Sequence, residues 1–198
     1  WVDMRTLTAE EAAAEIRAAD TFGMPLGPGQ PSALLEAMGA RTDWEDLRLY
    51  GALLSVLSDV FTHPNVHYLS GFFGPLERML RDMGANLSFA AADFRRFMPI
   101  LEFQAPRVMT TTAALPDADG WCSLSLHAGG TAAEMDAAAE DPDRLLIVEA
   151  SPGFPRTFGA LPDHRHAVHV DRIDILCESD RSPLPISDPP PGDAERAI

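Results

Sequence analysis

Leu145-Leu146-Ile147-Val148 is an unbroken aliphatic run, and a short run without polar alternation marks a strand covered on both faces, as strands of a parallel sheet are. Parallel strands cannot be joined by hairpins, so helices of roughly ten residues should alternate with them. Working outward, Thr131 to Ala139 reads as an alanine-rich helix before the run and Ile173 to Leu176 as another strand after it. The alternation continues upstream. Thr8 caps a helix reaching about Ala19, with Glu11 completing a capping box. Asp20 to Leu26 is a strand, Ser32 to Ala40 a helix, Leu47 to Leu57 a strand and its continuation broken by Gly51, and Val66 to Phe73 a further strand. Gly74-Pro75 opens a helix on which Leu76, Met79, Leu80 and Met83 share a face, ended by Gly84. Asp93 caps the next, where Phe94, Phe97 and Leu101 share a face and Pro106 closes. Val108 to Ala113 and Cys122 to Leu126 read as strands flanking the turn-rich Leu115 to Gly120. Met79, Met83, Phe94 and Phe97 are assigned to the core. The pattern predicts an α/β fold, an open, mostly parallel sheet flanked by helices. Residues 1–181 make the domain, and the Pro-rich 182–198 reads as a linker with a helix starting at Asp193.

The 198 residues carry 30 acids against 15 bases, a formal charge of −15, and every base is arginine. Chemistry that needs a lysine, whether a P-loop or a Schiff base, is excluded within this chain. A surface so acidic does not suit nucleic acid or anionic membrane as partner. Cys122 and Cys177 match no metal or redox spacing, which fits a reducing, cytoplasmic setting. No apolar stretch approaches the roughly 20 residues of a membrane span. No secretory leader opens the chain, and Trp1 is not an initiating residue, so the reading frame is expected to begin upstream.

Few motifs carry chemistry. Gly27-Pro28-Gly29-Gln30-Pro31 ahead of a helix is either an anion or carboxylate cradle of free N–H groups or an ordinary strand-to-helix turn. It is not a Walker A loop, and a dinucleotide fingerprint would need a third glycine where Ala33 stands. Asp117-x-Asp119-Gly120 starts like a calcium loop but has Ala128 at the twelfth position, so a turn explains it better. His164, His166 and His169, like His63 and His67, lack a full ligand set, and no metal is expected. Cys122 and His127, five apart on an expected strand, face opposite ways and make no nucleophile–base pair. Arg156 follows a strand's carboxyl end, where ligands of open α/β sheets sit; its alternative is an ion pair with a nearby acid.

Taken together, several of these segments resemble the acetyl-CoA hydrolase/transferase family, which includes the butyrate, succinate and 4-hydroxybutyrate CoA-transferases. The resemblance lies in Gly27-Pro28-Gly29-Gln30-Pro31 with Ala33-Leu34-Leu35-Glu36-Ala37, in Ser70-Gly71-Phe72-Phe73-Gly74-Pro75, and in Pro116-Asp117-Ala118-Asp119-Gly120-Trp121-Cys122-Ser123-Leu124-Ser125. Pro155-Arg156-Thr157-x-Gly159 and His169-Val170-Asp171-x-Ile173-Asp174 complete it. It implies the N-terminal half of an acyl-CoA:carboxylate CoA-transferase or acyl-CoA hydrolase, with coenzyme A entering as acyl-CoA substrate and no metal. A glutamate attacks the thioester, and backbone N–H groups stabilise the oxyanion. That glutamate, in a Glu-x-Gly setting, is implied for a C-terminal half, and no Glu-x-Gly occurs here. The resemblance assigns Gly27, Gly29 and Gln30 as donors, Ser70, Gly71 and Phe72 to an acyl pocket, and Arg156 to the wall between halves. The expected partners are the C-terminal domain, a small carboxylate with acyl-CoA, and further copies of the chain in a homo-oligomer. Ser151 stands where relatives commonly have Asn, and Ser70-Gly71 where they have Asn-Ser, which leaves the acyl group open. A solvent-exposed apolar face is expected where the other half would sit. The alternative is a non-catalytic, partner-binding or regulatory domain of the same fold.

Overall fold

The computed structural model describes residues 4–91, 93–127, 130–160, 164–184 and 190–196. The strands in chain order are β1 (Arg5–Leu7), β2 (Ala19–Leu26), β3 (Asp46–Ala52), β4 (Val66–Ser70), β5 (Leu87–Phe89), β6 (Val108–Ala114), β7 (Trp121–Ser123), β8 (Leu145–Ser151), β9 (Gly159–Ala160), β10 (His164–Arg165), β11 (Ala167–His169) and β12 (Ile175–Glu178). The helices are α1 (Ala9–Ala14), α2 (Ser32–Gly39), α3 (Pro75–Asp82), α4 (Phe94–Gln104), α5 (Ala132–Glu140) and α6 (Asp193–Arg196). Eight strands form one sheet in the order β1-β12-β8-β6-β2-β3-β4-β5, and every neighbouring pair is parallel. Two small antiparallel pairs, β7 with β11 and β9 with β10, stand apart from it.

The aliphatic run of β8 lies between β6 and β12, and its Leu146, Ile147 and Val148 are fully buried, as its composition requires. Each face has its own core. Phe22, Leu34, Leu35, Met38, Leu47, Leu49, Tyr68 and Ile147 meet on one face, and Met109, Leu101, Met135, Ala138, Leu146 and Val148 on the other. The Thr8–Glu11 capping box and the Asp93 cap form as the sequence predicts. Gly84 follows α3 with φ +83°, the left-handed conformation a C′ glycine supplies.

Several boundaries differ. The first helix stops at Ala14 rather than near Ala19, because β2 starts at Ala19 and Arg17 N–H is already caught by the Asp20 carboxylate. The strand expected to continue to Leu57 ends at Ala52, where Leu53 turns left-handed at φ +48°. Val66 to Phe73 is a strand only to Ser70, whose side chain bonds its own loop. Cys122 to Leu126 breaks after Ser123, with Ser125 at φ +53°. Met79 and Met83 are corrected from core to surface, since only Leu76 and Leu80 of that α3 stripe turn inward. The side chains of Phe94 and Phe97 and residues 185–189 and 197–198 lie outside the described residues. The three-residue strands β1 and β5, at the two sheet edges, are too short for a periodicity argument to find.

Candidate functional site at the carboxyl edge of the sheet

From β2 the chain steps outward through β3 and β4 to β5, then returns to place β6 on the other side of β2. That reversal makes a crevice outside the carboxyl ends of β2 and β6, where open α/β sheets hold ligands. Gly27, Pro28 and Gly29 form a 3-10 turn there. Gly27 has φ +53°, and a Cβ on Gly29 would sit 3.0 Å from Pro25 Cγ and 3.4 Å from the Cα of His127. The glycine therefore lets the loop after β7 close down on the turn, and Thr112 Oγ1 at the end of β6 donates to Pro28 O at 3.3 Å.

The buried Gln30 amide is committed inside this edge. Its Nε2 donates to Pro25 O and Ala52 O, both at 3.2 Å, and its Oε1 accepts from Ser55 N–H at 2.8 Å. Gly27 N–H likewise donates to Leu53 O at 3.0 Å, which explains the left-handed Leu53: the turned peptide aims its carbonyl at the glycine loop. The sequence placed Gln30 and Gly27 here as donors to a ligand; the structure has them joining the β2 loop to the β3 loop.

Ser70 is buried at the end of β4, its Oγ 2.7 Å from Phe72 O and 3.2 Å from the Glu77 carboxylate. Gly71 N–H donates to Gly51 O at 2.9 Å, and the Phe72 ring is half exposed. Of the assigned acyl-pocket trio, Phe72 alone presents a side chain to solvent. Glu77, fully buried at N3 of α3, accepts from Leu54 N–H at 2.7 Å and Gly74 N–H at 3.0 Å, tying the β3 and β4 loops together.

Glu149 is the third strut. It is fully buried on β8, and its Oε2 accepts from Ala33 N–H at 3.0 Å and Leu34 N–H at 3.2 Å, while Ser179 Oγ donates to Oε1 at 3.0 Å. The first-turn N–H groups of α2 thus hold a carboxylate, and it is a side chain of the same protein. Burial is the largest influence on this carboxyl and raises its pKa, against the opposing pull of the two amides. Sequence reading passed over Glu149 and Glu77. The available signals were an acid set within an aliphatic strand and a glutamate three residues after the Gly74 helix start.

On the far side of the crevice, Thr157 N–H donates to Ser123 Oγ at 2.8 Å, and Thr157 Oγ1 to Ser125 O at 3.1 Å. His127 is buried between two hydroxyls, Nδ1 2.9 Å from Thr111 Oγ1 and Nε2 3.0 Å from Thr131 Oγ1, and burial pulls its pKa down to about 4. Since the chain bends at Ser125, the alternating-face argument separating Cys122 from His127 does not apply. Burial instead raises the Cys122 thiol to about 11, which leaves it protonated and inert. Arg156 realises its alternative reading: it donates to Leu115 O, Asp117 Oδ2 and Trp121 O, at 2.8, 2.8 and 2.9 Å, and so pins the 115–121 loop. Asp117 Oδ1 accepts from Asp119 N–H and Trp121 N–H, the turn that the Asp-x-Asp-Gly run suggested. Among the described residues no group of His, Cys, Asp or Glu is arranged to hold a metal ion, and no helix is long and apolar enough to cross a membrane.

Six of the ten exposed large apolar side chains among the described residues lie at the same edge. Leu53 and Leu57 follow β3, Phe72 follows β4, Phe89 ends β5, Leu126 follows β7 and Phe158 follows β8.

No protein-family model and no curated protein matches the chain. Solved structures do. RipA from Yersinia pestis superposes with a TM-score of 0.77 at 22% identity, over 94% of this chain and 45% of that one. A 4-hydroxybutyrate CoA-transferase from Porphyromonas gingivalis gives 0.64 at 14% identity, over 92% and 41%. A variant of the decarboxylase AibA/AibB gives 0.59 at 15% identity, over 91% and 84%. These likenesses are of fold: the chain has a mostly parallel α/β fold like that of the CoA-transferase. It spans less than half the length of RipA.

Proposed function

We propose that this chain is the N-terminal half of an acyl-CoA:carboxylate CoA-transferase or acyl-CoA hydrolase, and that its carboxyl edge is one wall of a site completed by a C-terminal half. The observation carrying this is the row of exposed apolar side chains, from Leu53 through Phe72 to Phe158, at the edge where α/β sheets hold ligands. It supports a face covered by further protein rather than by water. Both buried glutamates of that edge, Glu77 and Glu149, have their carboxylates occupied by backbone N–H groups, so neither is free to attack a thioester. The attacking carboxylate then belongs to the other half. Gly27, Gly29, Gln30 and Ser70 hold the wall's loops in place, while Gly71 and Phe72 face the acyl group. Residues 182–198 are the connection between the halves.

The test compares this chain with the protein carrying both halves, each incubated with acyl-CoA and then with borohydride. An enzyme-bound CoA thioester is expected in the two-half protein alone. Turnover by the 198 residues, or no thioester in the two-half protein, refutes the proposal. A second reading, a separate partner-binding subunit, draws on the decarboxylase AibA/AibB, where a chain of which this one covers 84% carries the fold. Stable association with a separately encoded C-terminal half, again without turnover, would favour it.

A further inference from the structure

Strands of a parallel sheet are normally buried on both faces, yet one face of β3, β4 and β5 is lined with polar groups. Because partners in register share a face, Arg48 lies beside His67, Tyr50 beside Leu69, and Leu69 beside Ser88. These side chains floor a cleft of about 440 Å³ toward the amino ends of the strands, with Gln104 at the end of α4 on its rim. The volume falls within the range of small-molecule sites, roughly 300–1,000 Å³.

The chemistry of the lining narrows the ligand. Arg48 is already matched by Asp46, with Nη2 to Oδ2 at 3.1 Å and Nε to Oδ1 at 3.3 Å, and Glu45 on the rim adds a second acid. The field inside is therefore not one that draws a phosphate or carboxylate. What remains is hydrogen bonding at close spacing. His67 Nε2 sits 2.8 Å from Ser88 Oγ, and the Gln104 amide supplies both donor and acceptor. Tyr50, whose ring is largely buried, and the partly buried Leu69 supply the apolar part of the floor. Paired donor and acceptor groups on an amide are the complement of a nucleobase edge. We propose that this cleft binds an uncharged, planar heterocycle of nucleoside size, at the end of the sheet opposite the carboxyl edge. The site is independent of the proposed CoA chemistry.

Adenosine and AMP are the probes, titrated into this chain and followed by amide shifts in a ¹⁵N-labelled sample. Adenosine is expected to shift residues of β3, β4 and β5 around Arg48, His67 and Ser88 while leaving Gly27 to Gln30 untouched, and AMP to bind more weakly. His67→Ala and Gln104→Ala should each weaken adenosine binding by about tenfold, the worth of one hydrogen bond. Both sites are at the surface of the cleft, and circular dichroism checks that each variant is folded. No binding of adenosine at millimolar concentration, AMP binding as tightly as adenosine, shifts confined to the carboxyl edge, or folded variants with unchanged affinity would each overturn the proposal.

Discussion

The Glu149 carboxylate on β8 lies 3.0 Å from the amide nitrogen of Ala33 on α2, residues 116 positions apart, and fills the anion position that the helix start would otherwise offer. A buried carboxylate needs such donors, and the first turn of a helix has N–H groups without partners inside the helix. The pair fastens α2 to the centre of the sheet and closes that cradle to an outside ligand.

Glu149→Gln keeps an oxygen for the two amides and should cost little. Glu149→Ala strands the buried Leu34 N–H and the partly buried Ala33 N–H and should lower unfolding stability by about 2–4 kcal/mol. Urea unfolding of both variants checks this; equal losses would show that the hydrogen bonds do not hold the helix.

The pH response of the same group has a defined sign. Its folded pKa is raised above the ordinary 4.5, so the native protein holds its proton longer than the unfolded chain. The contribution of Glu149 to stability is full below 4.5 and declines as pH rises from 4.5 through the raised value. Glu149→Gln should remove that decline, read as the difference between the two stability–pH curves over that window.

His127 acts in the opposite sense. Its folded pKa of about 4 lies below the ordinary 6.5, so the unfolded chain takes up protons first and stability is lost as pH falls from 6.5 to about 4. Its ring proton resonances should stay at their neutral positions from pH 7 down to pH 5. Titration near 6.5 would show that the ring is not enclosed by Thr111 and Thr131.

Gly27→Ala places a side chain at φ +53° and should cost roughly 1–2 kcal/mol from the backbone alone, since the new Cβ meets only Leu53 Cδ2, at 4.0 Å. Gln30→Glu, of the same size, should cost more, because it sets a carboxylate against the Pro25 and Ala52 carbonyl oxygens in place of a donor. Thermal unfolding gives the ranking.

Phe72 and Phe158 stand half or more exposed at the carboxyl edge. Phe72→Ser with Phe158→Ser should leave the melting temperature within a few degrees while reducing self-association in sedimentation velocity and the binding of a C-terminal half. A large fall in melting temperature would place these rings in the fold rather than at an interface.

The sequence by itself determined the class of fold. The run from Leu145 to Val148, the Thr8–Glu11 capping box, the Asp93 cap and the Gly84 stop are local signals, and periodicity of apolar residues responds to local geometry. It also pointed to the Gly27–Gln30 turn, since only glycine takes φ +53° without strain and tolerates the approach of His127. The tertiary structure alone decided what those residues do. Gln30 turns inward because the ends of β2 and β3 bring the Pro25 and Ala52 carbonyl groups within its reach, and Glu149 meets Ala33 because β8 and α2 pack together. Met79 and Met83 lie outside because α3 presses only Leu76 and Leu80 on the sheet. Such pairings depend on which strands become neighbours, and strand order is a property of the whole chain that no single stretch of it encodes.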